Sequence, residues 1–166
     1  MKYRMYVDEV GYASHKNCQD ELYRYLSLTG VIIDLAYVKE TAAPALDQMK
    51  RRLFDPHPDE VVILHRNDIV RKRPPFECLF DPQKRREFDE LLLHLLTELS
   101  YFVVTVVIDK QEQLERYGVW QHDPYHYAMQ VLLERYVMWL ESKGAGGDVL
   151  AGMCWRSPAA AERTSG

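Results

Sequence analysis

The sequence predicts an α/β protein, a mixed sheet flanked by helices, and three observations carry that expectation. Runs rich in β-branched and aromatic residues occupy Lys2 to Gly11, Leu22 to Ile33, Glu60 to Leu64 and Tyr101 to Ile108. Between them the apolar period turns helical, in Leu35 to Leu53, Phe88 to Leu99 and Tyr127 to Leu140. Capping or breaking residues stand at the changeovers: Asp34, Asp81-Pro82, Asp123-Pro124 and Gly144.

In chain order, Tyr3, Met5 and Val7 alternate with Lys2, Arg4 and Tyr6, so the first strand covers about residues 3 to 8 and delivers Asp8 and Glu9 to its end. Tyr12 to Glu21 is polar and reads as a connection containing a solvated His15. Leu22 to Ile33 starts half exposed and finishes buried in Val31-Ile32-Ile33, antiparallel to the first strand if the connection is a hairpin. Asp34 caps a helix bearing Leu35, Val38, Ala42, Leu46, Met49 and Leu53, and Pro44 breaks or kinks it unless the helix begins there. Glu60 to Leu64 is a short buried strand ending in His65-Arg66-Asn67-Asp68. Asp81-Pro82 opens a helix whose first turns carry Lys84-Arg85-Arg86 against the macrodipole, which suggests an anionic partner or nearby acids. Tyr101 to Ile108 is apolar on both faces and is expected to be central in the sheet, with Asp109-Lys110 as its end. Asp123-Pro124 starts the last long helix, Gly144 to Gly147 ends it, and Asp148 to Ala151 begins a further strand.

A length of 166 residues, 47% of them hydrophobic, suits one domain with a real core, here residues 1–151. The formal net charge of -4 argues against holding nucleic acid by overall charge, and leaves a local basic patch as the way to do it. Cys18, Cys78 and Cys154 lie far apart, without a paired zinc spacing, and suit free thiols in a reducing compartment. With no signal-like start and no apolar stretch of membrane-spanning length, a cytoplasmic protein is expected.

The chemistry-bearing residues sit at strand ends. Asp8 and Glu9 there suit a hard cation, although they also suit a polar turn before Gly11. His65 and Asp68, three apart after a strand, could transfer a proton or reach a metal, or be a satisfied histidine and a cap. Asp109 could share a cation with Asp8 or form a turn. Arg71-Lys72-Arg73, in a loop broken by Pro74-Pro75, are the best candidates for contact with a phosphodiester backbone, the alternative being a solvated face. Trp120, His122, Tyr125, His126 and Trp139 could stack on bases or pack in the core.

The ordered set Tyr6-Val7-Asp8-Glu9 with Gly11, Leu28-Thr29-Gly30-Val31-Ile32-Ile33, Leu64-His65 with Asp68-Ile69, Val107-Ile108-Asp109-Lys110, and Tyr125 with Tyr127-Ala128 resembles the bacterial and phage domain of unknown function 3800 family. The resemblance covers about residues 3–151, and Val10 stands where that family usually has Ser. It implies a ribonuclease H-like fold and a metal-dependent phosphodiester hydrolase. Asp8, Glu9 and Asp109 would then hold magnesium or manganese, and Asp8, Asp109, His65 and Asp68 would carry the catalysis.

From Gly152 the periodicity is lost, and residues 152–166 are expected to be irregular. Asp148 to Ala151 can be encoded GAT GTG CTG GCG, and the same letters read one base later give Met-Cys-Trp-Arg, the order of Met153 to Arg156. An out-of-frame duplication accounts for such a tail. The chain is then a truncated member with its C-terminal part incomplete, missing a late acid and therefore inactive. A non-catalytic binding or structural module serving a protein partner is the competing expectation.

Overall fold

The computed structural model describes residues 1–54, 61–118 and 122–152. Within it the chain forms two compact units, residues 1–33 with 101–166, and residues 34–100. Trp120, His57, Glu60 and the 153–166 tail lie outside the described residues.

The first unit is a four-stranded mixed sheet of β1 (Lys2–Gly11), β2 (Tyr25–Asp34), β3 (Phe102–Asp109) and β4 (Gly146–Ala151), in the order β3-β2-β1-β4. β4 runs parallel to β1, from Lys2 opposite Gly146 to Val7 opposite Ala151. β3 runs antiparallel to β2, with Tyr25 opposite Asp109 and Ile32 opposite Phe102. Gly11 lies against Tyr25 and Leu26 while Gly30 lies against Met5, so β2 returns along β1 as the hairpin expectation required.

Alternation decides what each face does. Met5 and Val7, Leu26, Leu28 and Ile32, and Ile108 all point to one face. There they pack on Ala128, Leu132 and Tyr136 of helix α7 (Pro124–Lys143). Each such side chain taken fully out of water contributes about 1.5–3 kcal/mol. The opposite face carries the Thr29 and Thr105 hydroxyls, 3.0 Å apart, and leaves Val103 and Val107 45% and 58% exposed.

That exposure corrects the expectation that Tyr101 to Ile108 is central. β3 is an edge strand among the described residues, although its composition is that of a buried one. β-branched residues suit any pleated surface, and they do not choose a strand's neighbours.

Local chemistry explains the remaining elements. The Asp123 carboxylate accepts from the His126 N–H to start α7, and Gly144 ends it in the left-handed region at φ 56°. Asp20 accepts from the Leu22 N–H and opens a single helical turn, α1 (Glu21–Arg24), so β2 begins three residues later than its alternation suggests. Asp109 starts α6 (Lys110–Tyr117), where the sequence suggested only a turn.

The second unit contains α2 (Leu35–Tyr37), a π-helical segment (Val38–Ala42), α3 (Ala43–Phe54), α4 (Arg66–Arg71), a 3-10 turn (Phe76–Phe80) and α5 (Pro82–Glu98). Asp34 caps its start through the Tyr37 N–H. The wider π turn comes just before Pro44, which has no N–H to give the helical ladder. Met49, Leu53, Val62, Phe76, Leu79 and Phe88 form its core.

Residues 61–64 do not form the expected strand. Val62 is buried, but Val61 and Ile63 are 80% and 72% exposed, and the His65 N–H turns back onto the Ile63 carbonyl at 2.8 Å. The apolar alternation here acquires no strand partner among the described residues.

Candidate functional site

The hairpin and β3 place the C-terminal ends of β1 and β3 at the same end of the sheet, because Gly11 and Asp109 both lie against Tyr25. By alternation Asp8 and Asp109 project from the face opposite the α7-covered core. They are not on neighbouring strands, however. β2 stands between them, and two strand spacings alone amount to about 10 Å. Asp8 is exposed, whereas Glu9 falls on the other parity and is half-buried. Burial raises the pKa of Tyr125, and Glu9 adds to that rise.

Asp109 is fully engaged. Arg24 Nε donates to Oδ1 and Oδ2 at 3.0 and 2.9 Å, and a guanidinium terminal nitrogen donates to Oδ2 at 2.5 Å. The same carboxylate accepts from the N–H groups of Gln111 and Glu112 as the cap of α6. The Arg24 bonds, helped by those backbone donors, hold Asp109 below the ordinary carboxylate pKa.

Beside it lies an arrangement the sequence did not reveal. Lys110 is completely buried, and its Nζ donates to the carbonyls of Tyr12 and Ser14 at 2.7 and 2.9 Å. Burial pushes that amine's pKa down. His15 Nε2 meets Gln113 Oε1 at 3.0 Å, and Gln113 donates to the His122 carbonyl at 3.4 Å. The 12–18 loop is therefore strapped to α6 from two points, and His15, expected to be solvated, is one of them. Arg24 and Gln113 carried no local signal. For Lys110 the only signal was its place after a strand-end acid.

His65 and Asp68 belong to the second unit. His65 Nδ1 lies 3.0 Å from Asp68 Oδ2, and Arg73 approaches the other oxygen at 3.6 Å. Lys72 ends α4 in the left-handed region at φ 49°, with its Nζ 4.5 Å from the Phe80 ring centroid. Arg71, the last residue of α4, has no ion-pair partner among the described residues. Cys18 and Cys78 are free thiols.

Among the described residues, no three His, Cys, Asp or Glu side chains gather as a metal shell needs. No helix among them is long and apolar enough to cross a membrane.

Comparisons with family models, curated proteins and solved structures give no match.

Proposed function

We propose that the chain is a ribonuclease H-like domain, akin to the domain of unknown function 3800 family, and that in the conformation described it engages nucleic acid without hydrolysing it. The mixed sheet supports the fold reading, with β1 and β3 running in the same direction and their acids at one end. The observation that carries the rest is the clamp of Arg24 on Asp109. A carboxylate that already accepts from a guanidinium and two backbone amides has little capacity left for a cation.

Magnesium or manganese is the cation this reading calls for, and when bound it would supply an activated water and a stabilised leaving oxygen. Asp8 would hold it, whereas Glu9 lies on the other face of β1, and Asp109, two strands away, is already held by Arg24. His65 and Asp68 form a hydrogen-bonded pair of their own in the second unit.

The test is a magnesium titration of thermal stability and a cleavage assay on labelled single-stranded and duplex DNA and RNA. The native chain, Asp8→Asn and Arg24→Ala are compared. The expected outcome is no cleavage by the native chain, and a magnesium-dependent rise in Tm that is larger in Arg24→Ala and absent in Asp8→Asn. Cleavage by the native chain that is lost in Asp8→Asn would replace the binding role with a hydrolytic one. The protein-partner reading draws on a different observation, the outer face of α7, where Leu133, Val137 and Met138 are all exposed.

A further inference from the structure

The second unit carries two basic runs about ten residues apart, and one residue of each lines a common cavity. Arg71-Lys72-Arg73 runs through the C-terminal end of α4, and Lys84-Arg85-Arg86 occupies the first turns of α5. Lys72 and Arg85 line one cavity of about 190 Å³ with Ile69, Leu79, Phe88 and Asp89. At its margin Phe80 is 66% exposed, with the Lys72 ammonium against its ring.

Three features say what such a surface takes. First, several acids of this stretch are already engaged, although among the described residues the exposed Glu77 of the 3-10 turn is not. Asp68 meets His65 and Arg73, Asp81 caps α5, Glu87 meets Arg52, and Asp89 lies 3.9 Å from Arg85. Arg73 and Arg85 take part in these pairs, while Arg71, Lys84 and Arg86 have no ion-pair partner among the described residues and remain available to an outside anion. Second, three cations at a helix start oppose the macrodipole, an unfavourable placement that a bound polyanion relieves. Third, an exposed aromatic ring among cations offers a stacking platform, which a duplex with its bases paired and stacked inside cannot use.

We propose that this surface of residues 66–86 is a binding platform for single-stranded nucleic acid. A backbone phosphate lies between Lys72 and Arg85, and an unpaired base stacks on Phe80. Arg71, Arg73, Lys84 and Arg86 follow the neighbouring phosphates. The proposal rests on the reading that the chain engages nucleic acid, and on no part of the hydrolytic one.

The position of Lys72 supplies an unusually clean variant. Lysine is an uncommon occupant of the left-handed region, where glycine is comfortable, so Lys72→Gly removes the cation while easing the backbone. The experiment measures fluorescence anisotropy of labelled oligo-dT and oligo-U of about 12 nucleotides, in EDTA, against the full chain. A duplex of equal length and anionic phospholipid vesicles are the competitors, and Arg116→Ala is the control.

The expected result is tighter binding to single strands than to duplex. Phe80→Ala should lower affinity about 5- to 150-fold. Lys72→Gly should lower it and flatten the salt dependence by roughly 0.7 in log-log slope, with Tm unchanged or raised. Arg85→Ala should act like Lys72→Gly on the slope, and Arg116→Ala should change nothing. Single-strand binding unaffected by Phe80→Ala, Lys72→Gly and Arg85→Ala would overturn the platform while leaving nucleic-acid engagement standing. An absence of binding by the native chain would overturn both. Equal competition by duplex or by vesicles would show a generic polyanion surface and overturn the single-strand assignment.

Discussion

Arg24 holds both carboxylate oxygens of Asp109 at the point where β2 begins and β3 passes into α6. A second clamp of the same kind ties the other side of the sheet, where Arg4 donates to both oxygens of Asp148 at 2.5 and 3.0 Å and joins β1 to β4. These acids make stability depend on pH. Arg4, and after it Lys2, holds Asp148 at about 2 against an ordinary 3.8, and Arg24 lowers Asp109 in the same direction. A depressed acid contributes stability that is present above its unfolded pKa and is lost as pH falls through the folded one. Tm should therefore be flat at neutral pH and fall as pH drops from about 4 toward 2, and Asp148→Asn should fall less steeply over that window. Thermal melts across the range check this, and parallel curves for the two proteins would remove the clamp's role.

The buried lysine leads to a sharper expectation. Lys110→Met keeps most of the apolar stem but leaves the Tyr12 and Ser14 carbonyls without their donor. Such a loss costs about 1–3 kcal/mol. Cleavage within residues 12–18 by a low dose of protease should quicken in the variant, because the strap then depends on His15 and Gln113 alone. Unchanged stability and an unchanged digestion pattern would mean that the loop holds itself.

What could be read ahead of the structure follows from the range of each interaction. Asp123, Pro124 and Gly144 delimit α7 by chemistry within one turn, and Asp34 and Asp81 do the same for their helices, so those boundaries were legible. The β1–β2 hairpin and the presence of β3 were legible from alternation and composition. The edge position of β3 was not, since pairing is settled by residues far away in the chain. Asp109 was visible as a strand-end acid, but its partner is 85 positions earlier and lies in a turn read as strand. Lys110 looked like any solvated lysine until the 12–18 loop folded over it. Phe80 and Arg85 join Lys72 only through the packing of α4 on the 3-10 turn and α5.

Gly11 ends β1 with φ at 105°, and a Cβ there would sit 2.3 Å from the Tyr25 carbonyl oxygen. Neither the backbone nor its neighbour can yield cheaply, because both belong to the sheet. Gly11→Ala should cost about 2 kcal/mol or more, measured as a lower urea midpoint with an unchanged slope. A midpoint within error of the native one would show that the hairpin end relaxes freely.

The two apolar cores make the last prediction. Leu132 is fully buried among sheet residues of the first unit, and Phe88 is 2% exposed among Met49, Leu53, Phe76 and Leu79 of the second. Truncating either to alanine removes buried carbons and leaves a cavity, at about 2–5 kcal/mol for Leu132 and about 3–5 kcal/mol for Phe88. Each cluster draws its members from one unit only, so the loss should be felt where it is made. Hydrogen exchange reads this residue by residue. Phe88→Ala should deprotect α3 and α5 more than β2 and β3, and Leu132→Ala should do the reverse. If each variant deprotected both regions equally, the chain would open as one cooperative body. The single-strand platform on α4 and α5 would then be as stable as the sheet itself, and Phe88→Ala could not be used to loosen it selectively.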